Sequence, residues 1–349
     1  MLPMRFGPLE EIVVDANVAS LSVVVPAYNE QDSLLTFHQR LVTVLDNTEM
    51  ATEIIYVNDG STDGTLAIMH SLHANDPRVS VVDLSRNFGK EIALTAGIDH
   101  ARGDAVILID ADLQDPPELI PELLRAWREG HDVVYAKRVS REGETFVKKA
   151  TAHMFYRLIQ HLSHVKIPKD TGDFRLLSRR AVNALQQLRE QHRFMKGLYA
   201  WVGFSQYPVT YHRDARYAGR TKWNYWRLWN FALEGVTSFS SVPLKLSTYF
   251  GLVVAATAFL YGVWIVVKTL AFGEVVRGYP TLMVTVLFLG GAQLVAIGIL
   301  GEYMGRMFDE TKKRPLYFLN AYLEPSVNFG QTDRGLMQEV KGFPISGND

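Results

Sequence analysis

The sequence predicts an α/β fold with a mostly parallel sheet, followed by a hairpin of two membrane-spanning helices. Short apolar runs alternate with helical segments through the first 240 residues, a pattern typical of a three-layer α/β sheet. Beyond them lie two long apolar runs, at 246–268 and 279–301. Each run reaches the length of about 20 residues that crosses a bilayer.

The predicted strands and helices follow one another in a regular order. Strands are expected at 21–25, 53–57, 79–84, 105–109 and 132–136, and helices at 31–46, 65–74 and 118–129. The strands are rich in Val and Ile, whereas the first helix repeats Leu and Val at helical spacing. Polar turns separate these elements, and Pro26 closes the first strand.

Composition and missing motifs exclude several classes of protein. The 349 residues carry a net charge of −1, which gives no general attraction for nucleic acid. The absence of cysteine excludes disulfides, thiolate metal sites and a cysteine nucleophile, and it fits a reducing compartment. Neither G-x-G-x-x-G nor G-x-x-x-x-G-K-[ST] occurs, which argues against a dinucleotide dehydrogenase and a P-loop NTPase.

The two apolar runs are interpreted as a transmembrane hairpin with both chain ends in the cytosol. Basic residues gather before the first run and after the second, at Arg213, Arg216, Arg220, Lys222, Arg227, Lys245, Arg306, Lys312, Lys313 and Arg314. Only Lys268 and Arg277 flank the turn between the runs, so the positive-inside rule puts that turn outside the cytosol. The alternative is a pair of buried helices in a large soluble core.

Four further segments are expected to be tails or interfacial helices associated with an α/β domain at 20–221. Residues 1–19 are predicted as a flexible tail and 302–349 as a cytosolic C-terminal tail. Segment 146–162 sets an apolar stripe against basic residues, which indicates an interfacial amphipathic helix or a helix packed on the core. Segment 222–242 holds three of the six tryptophans and predicts a juxtamembrane helix.

The most informative motif is DADLQ at residues 110–114, which places two carboxylates at the end of a predicted strand. Residues i and i+2 of an extended chain point the same way, so Asp110 and Asp112 converge. Strand ends are where open α/β sheets bind ligands. A hard divalent cation that bridges to phosphate oxygens would hold the two carboxylates together. A metal–diphosphate site and a chance polar cluster are both compatible with this motif.

Two more polar turns follow predicted strands. PAYNE at 26–30 ends the first strand, and VNDGS at 57–61 ends the second. Tyr28 offers an aromatic face to a nucleotide base. Asp59 offers an acceptor to a base N–H or a ribose hydroxyl, although an ordinary Asx turn also explains it. Three such turns at strand ends would line one crevice.

These motifs, together with GDFR at 172–175, resemble the inverting glycosyltransferases of family 2, which have the GT-A (Rossmann-like) fold. A narrower resemblance, to the polyprenyl-phosphate glycosyltransferases, rests on SRNFGKE (85–91), FMKG (194–197), AGRTKW (218–223) and GEYMGR (301–306). That group includes dolichol-phosphate mannose synthase and the bactoprenol glucosyltransferases. The resemblance covers roughly residues 20–320, including both apolar runs.

The resemblance implies a role for each matching residue. Nucleotide-sugar binding falls to Pro26, Tyr28, Glu30, Val57, Asp59, Asp110, Ala111, Asp112, Gln114, Arg138, Arg216 and Lys222. Of these, the metal ligands for Mg²⁺ or Mn²⁺ are Asp110, Asp112 and Gln114. Asp173, which faces the acceptor, and Asp112 are the implied catalytic residues. The lipid phosphate is expected to be guided by Lys148, Lys149 and Arg157, for which attraction to anionic lipid is an equal explanation.

The implied reaction transfers a hexose, with glucose from UDP-glucose favoured, to undecaprenyl (polyprenyl) phosphate with inversion. The product would serve a cell-surface glycan such as O-antigen. The enzyme is expected in the bacterial inner membrane, without a nucleic-acid partner, and as a homo-oligomer such as a tetramer. Mannose from GDP-mannose and an aminoarabinose remain alternative sugars. A processive polysaccharide synthase would be expected to have a Q-x-x-R-W motif, which this sequence lacks. A membrane scaffold or lipid transporter would leave the acidic and basic residues of the candidate site unexplained.

Overall fold

The structure is a computed structural model that describes residues 19–138, 171–211, 242–272 and 278–326. Its strands are β1 (Ser20–Ala27), β2 (Ala51–Asn58), β3 (Val79–Leu84), β4 (Ala105–Leu108), β5 (Val133–Arg138), β6 (Thr171–Ser178), β7 (Gln206–Tyr211) and β8 (Leu319–Leu323). Its α-helices are α1 (Leu34–Leu45), α2 (Thr65–Asn75), α3 (Lys90–His100), α4 (Ile120–Arg128), α5 (Arg179–Gln187), α6 (Met195–Trp201), α7 (Val242–Phe272) and α8 (Tyr279–Thr311). A 3₁₀ turn at Pro117–Leu119 leads into α4.

The described strands form one eight-stranded sheet in the order β7-β5-β6-β4-β1-β2-β3-β8. Strands β4, β1, β2 and β3 run parallel, and so do β5 and β7. Strand β6 is antiparallel to β4 and β5, and β8 is antiparallel to β3. The predicted α/β fold with a mostly parallel sheet is therefore confirmed.

Helices pack on both faces of this sheet. Because successive residues of a strand point to opposite faces, a single strand contributes side chains to both cores. Val23 and Val25 of β1 belong to the core that includes Phe37 of α1, whereas Val24 belongs to the core that includes Leu94 of α3. All five side chains are fully or almost fully buried, and their removal from water is the main stabilising contribution. The carboxyl ends of the parallel strands are thus fixed by packing on both sides.

Helices α7 and α8 pack against each other as a hairpin whose apolar side chains face outward. Two stretches, Leu246–Ile265 and Val284–Thr311, are long and apolar enough to cross a membrane. Leu260 and Leu294 are 68% and 71% exposed. Because a water-facing surface of this kind would be unfavourable, the hairpin indicates membrane association.

The C-terminal part differs from the tail expected over 302–349. Helix α8 runs past the predicted end of the span at 301 to Thr311, and β8 then pairs with the edge strand β3. The amide of Ser85 donates to the carbonyl of Phe318 at 2.9 Å, and the amide of Ser326 donates to Pro77 at 2.9 Å. This short strand has little pattern of its own, and it forms because β3 offers an edge to pair with.

Several predicted segments lie outside the described residues. They are 1–18 of the N-terminal tail, the amphipathic helix 146–162, residues 222–241 of the Trp-rich segment, and the chain after 326. The same holds for five candidate site residues, namely Lys148, Lys149, Arg157, Arg216 and Lys222.

Candidate functional site

The turns after β1 and β2 interlock at one edge of the sheet. The amide of Asp59 donates to the carbonyl of Ala27 at 3.0 Å, which joins the two turns through the backbone. Asn29, held at φ 57°, accepts from the amide of Thr62 at 2.8 Å, and its own amide donates to the Ser61 hydroxyl at 3.1 Å. The PAYNE and VNDGS motifs therefore form one surface, as the sequence predicts for strand ends.

The candidate nucleotide-binding residues of this surface differ in accessibility. Tyr28 is 41% exposed, which is compatible with stacking of its ring on a base. Pro26 and Val57 lie opposite each other in the β1–β2 ladder, and the Val57 side chain is fully buried. Glu30 accepts a 2.8 Å hydrogen bond from the Ser33 hydroxyl through Oε2. Because its side chain is buried, Val57 can contact a ligand only through its backbone.

Asp59 is buried and bound to the loop before α3. Its Oδ1 accepts from the amide of Phe88 at 2.7 Å, and its Oδ2 accepts from the amide of Gly89 at 3.0 Å. Burial raises the pKa of the Asp59 carboxyl, and the two amides partly offset that effect. Gly60, at φ +66°, lets the chain pass this loop, since a Cβ there would lie 2.4 Å from the Asn87 nitrogen. Asp59 thus fixes the loop that carries Lys90.

Lys90 joins two carboxylates that the sequence places 63 residues apart. Its Nζ lies 2.6 Å from Oδ2 of Asp110 and 2.6 Å from Oδ2 of Asp173. Strands β4 and β6 are antiparallel neighbours with Leu108 opposite Arg175, so Asp110 and Asp173 meet at the same end of the pair. The ammonium of Lys90 therefore bridges Asp110, the residue implied on the donor side, and Asp173, the residue implied on the acceptor side.

The charges in this cluster shift one another's pKa values. Partial desolvation opposes the charge of Lys90, but Asp110 and Asp173 outweigh it and raise the pKa of the ammonium well above its ordinary value. The pKa of Asp173 is lowered, because Lys90 and Lys196 overcome the opposing effect of burial. Burial raises the pKa of Asp110 even though Lys90 opposes this, and burial with the nearby Asp173 charge raises that of Glu91 to about 7. Asp173 is therefore the carboxylate of this group that holds its charge most firmly.

Contacts of Arg175 and Glu91 hold the surroundings of Asp173 in place. The buried Arg175 donates from Nη2 to the carbonyl of Gly172 at 2.9 Å, and its guanidinium lies 3.7 Å from the centre of the Tyr199 ring. Glu91 accepts from the amide of Met195 through Oε2 at 3.0 Å, which ties α3 to α6. In the described part of the chain, Oδ1 of Asp173 is buried and has no hydrogen-bond partner. Within the described residues that oxygen keeps an acceptor position that a ligand could fill.

The DADLQ turn supplies oxygen donors beside this cluster. Oδ1 of Asp112 accepts from the amide of Gln114 at 3.1 Å, and Leu113 adopts φ 61° within the turn. Ala111 and Gln114 are buried, and Asp115 accepts from the Tyr211 hydroxyl at the end of β7. Among the described residues no group of three or more His, Asp or Glu side chains is arranged for a metal ion. The donor types nevertheless fit one, because carboxylate and amide oxygens suit Mg²⁺ and Mn²⁺ and this edge already binds the Lys90 cation.

Arg138 is the last residue of β5 and pairs with Tyr211 of β7. Its backbone therefore reaches the same neighbourhood as Asp115, and its phosphate contact remains a prediction. Sequence reasoning assigned no role to Lys90, Glu91, Arg175 or Lys196. The signal available for these four residues was their place in the SRNFGKE, GDFR and FMKG motifs, which served only for the family resemblance.

The chain matches the family model for Glycosyl transferase family 2 over residues 22–186 and that for the GtrB C-terminal hairpin over residues 242–307. A bactoprenol glucosyl transferase of Shigella phage SfV is 49% identical over 299 residues, covering 86% of this chain and 97% of the relative. An uncharacterized glycosyltransferase of Synechocystis sp. is 54% identical over 300 residues, covering 86% of this chain and 94% of the relative.

Solved structures resemble the chain more distantly. Glucosyl-3-phosphoglycerate synthase from Mycobacterium tuberculosis, solved with Mn²⁺, UDP-glucose and phosphoglyceric acid, is 20% identical. The match has a TM-score of 0.44 and covers 63% of this chain and 78% of that one.

Proposed function

We propose that this chain, which belongs to glycosyl transferase family 2, transfers glucose from UDP-glucose to a polyprenyl phosphate at a membrane surface, with inversion. The observation that carries the proposal is the Asp110–Lys90–Asp173 bridge, which sets a donor-side and an acceptor-side carboxylate on neighbouring strand ends. Relatives named bactoprenol glucosyl transferase, at 49% identity over most of their length, support glucose and a polyprenyl carrier.

The membrane hairpin supports a lipid acceptor. Helix α8 emerges from the apolar stretch and connects through β8 to the sheet that carries the site. A catalytic domain attached in this way stays near the headgroup layer, where the phosphate of a polyprenyl lipid lies. The basic residues Lys148, Lys149 and Arg157 remain proposed guides for that phosphate, and a cytosolic catalytic domain in a bacterial inner membrane remains part of the proposal.

The donor leaves as a nucleoside diphosphate, whose developing charge must be stabilised. Asp110, Asp112 and Gln114 would hold a divalent cation there, and such a cation supplies charge stabilisation to the leaving diphosphate. Arg138, Arg216 and Lys222 are proposed to contribute positive charge to the same phosphates. Tyr28 and the backbone around Val57 are proposed to hold the base.

Asp173 is proposed to orient the acceptor rather than to remove a proton. A phosphate monoester has a second pKa of about 6, so near neutrality its oxygen is already a competent nucleophile. Lys90 and Lys196 lower the pKa of Asp173, which makes that carboxylate a weak base. Its Oδ1, which has no hydrogen-bond partner among the described residues, instead fits a hydrogen bond from a sugar hydroxyl or from a singly protonated phosphate. A single in-line displacement on the sugar carbon then inverts the anomeric centre.

A donor competition assay tests this proposal. The purified full chain in lipid nanodiscs is given undecaprenyl phosphate with UDP-glucose, GDP-mannose or a UDP-aminoarabinose, with Mg²⁺, with Mn²⁺ or with a chelator. We expect metal-dependent transfer from UDP-glucose and none to undecaprenol, which lacks the phosphate. Preference for another sugar would overturn the donor assignment, and the absence of transfer from every donor would overturn the reaction.

A further inference from the structure

Lys90 has an ammonium group at the point where the donor-side and acceptor-side carboxylates meet. Its contacts to Asp110 and Asp173, both 2.6 Å, use two of the three hydrogens that an ammonium can donate. The Lys90 side chain is 43% exposed, whereas those of Asp110 and Asp173 are 23% and 13% exposed. We propose that Lys90 binds the phosphate of the lipid acceptor and holds it beside Asp173, an inference that rests on the function proposed above.

A cation is needed here because Asp110 and Asp173, although Asp173 is proposed to orient the acceptor, repel a dianionic phosphate unless a positive charge offsets them. The phosphate brings up to two negative charges towards Asp110 and Asp173, with Glu91 adjacent to Lys90 in the chain. Lys196 is a poorer candidate, because its side chain is less exposed than that of Lys90. Lys90 makes direct contact with both carboxylates and keeps an exposed side chain, so it can neutralise them and receive an anion at the same time.

The position of Lys90 in the helix supports this assignment. It is the first residue of α3, after the N-cap Gly89 at φ 96°. The dipole of an eleven-residue helix disfavours a cation at this end and favours an anion. A phosphate bound to Lys90 would therefore gain from both the ammonium and the positive end of α3.

The proposed contact is consistent with the chemistry of transfer. A phosphate oxygen forms the new bond to the anomeric carbon, the bond from that carbon to the diphosphate oxygen breaks, and its electron pair leaves with the nucleoside diphosphate. A dianionic acceptor has no proton to lose in this step. Lys90 donates hydrogen bonds throughout this step and transfers no proton, since the ordinary pKa of a lysine ammonium is about 10.4.

The test measures acceptor binding separately from donor binding in the full chain. A short-chain polyprenyl phosphate is titrated calorimetrically in the presence of UDP, and UDP-glucose is titrated alone. Lys90→Gln should weaken acceptor binding about 10- to 100-fold, the loss of one charge-assisted hydrogen bond, with little change for UDP-glucose. Lys90→Arg keeps the charge and should recover most of the acceptor affinity. Arg40→Gln, which removes an exposed ion pair with Glu118, is the control and should bind both ligands as the wild type does.

A second variant separates phosphate binding from simple neutralisation of the carboxylates. Lys90→Gln with Asp173→Asn removes one charge of each sign and relieves the imbalance that could unfold Lys90→Gln. Acceptor binding in this double variant should be weaker than in Asp173→Asn alone if Lys90 contacts the phosphate. Recovery to the affinity of Asp173→Asn alone would overturn the inference, as would a Lys90→Gln variant that binds the acceptor normally or loses donor and acceptor equally. Wild-type transfer, run alongside, shows whether the proposed function or only this inference has failed.

Discussion

The sheet domain and the α7–α8 hairpin distribute apolar and charged residues in opposite ways. In the sheet domain, apolar side chains such as Phe37 are fully buried and the charges gather at the strand ends. In the hairpin, apolar side chains such as Leu260 lie outside, and charge is absent from most of both helices. The same physical rule gives both arrangements, because apolar groups leave water for a protein core in one region and for lipid in the other.

Direct contacts connect the α7–α8 hairpin to the part of the sheet domain that carries the candidate site. The end of α8 contacts the loop before α6, since the amide of Gln191 donates to Oε1 of Glu310 at 2.7 Å. His192 pairs with Asp309 at 3.1 Å in the same loop. Helix α6 begins at Met195, whose amide donates to Glu91 next to Lys90. Helix α8 is thus joined to the candidate site around Lys90 through a short series of direct contacts.

The largest expected effect comes from neutralising the charged edge of the sheet domain. Asp173→Asn should lower kcat about 100-fold or more while nucleotide binding is retained, because the acceptor loses the carboxylate proposed to orient it. Steady-state transfer rates and UDP titration on the same preparation measure the two quantities. Wild-type turnover in this variant would show that Asp173 has no part in the reaction.

The second prediction compares an exposed leucine of the hairpin with an exposed leucine of the sheet domain. Leu260 of α7 and Leu35 of α1 are both exposed, at 68% and 52%. Leu260→Arg should cost about 2.5–3.5 kcal/mol of membrane insertion, whereas Leu35→Arg should change domain stability by at most about 0.5 kcal/mol. Membrane fractionation and thermal melting of the two variants provide the comparison. Equal behaviour of both variants would mean that α7 does not lie in lipid.

A pH effect is expected in the sheet domain through Glu91. Burial raises the pKa of this carboxyl from 4.5 to about 7, so the folded state holds its proton more strongly than the unfolded state. The resulting stability is fully present below about pH 4.5 and is lost as the pH rises through about 7. Melting temperatures from pH 5 to 8 should therefore fall more steeply for the wild type than for Glu91→Gln. Parallel pH profiles would contradict the assignment of this raised pKa.

The smallest expected effect concerns the link between the two regions. The Tyr317 hydroxyl donates to Oδ2 of Asp99 at 2.9 Å, just before β8. Tyr317→Phe should destabilise the domain by about 1 kcal/mol, the usual net value of one hydrogen bond. Denaturant unfolding followed by tryptophan fluorescence measures it, with Thr43→Ala as a surface control on α1. A loss no larger than that of the control would mean that this contact contributes nothing to the link.

The elements that could be predicted from the sequence are those that a local pattern of residues specifies. Strands β1 to β5 and the polar turns after β1, β2 and β4 follow from apolar runs and turn residues, and the family resemblance is confirmed by the relatives. Helix α3 was not predicted, because its residues 93–98 are all buried and leave no polar face to give a helical period. Strand β8 was not predicted either, because its stability comes from β3.

The charged centre of the site was only half predictable for a similar reason. Asp110 and Asp112 lie in one short motif, and Asp173 was found through a family resemblance. Lys90 becomes meaningful only when β4 and β6 are paired and the 86–89 loop is fixed by Asp59, neither of which local pattern records. Residues brought together by long-range pairing are the ones that sequence reasoning missed.

The anomeric configuration of the product tests the central account most directly. The full chain in nanodiscs converts UDP-[¹³C]glucose and a short-chain polyprenyl phosphate, and NMR of the glycosyl lipid phosphate gives the configuration at the anomeric carbon. The account predicts a glucosyl phosphate lipid with a configuration opposite to that of the donor. A product that retains the donor configuration, or glucose released to water without lipid product, would contradict it.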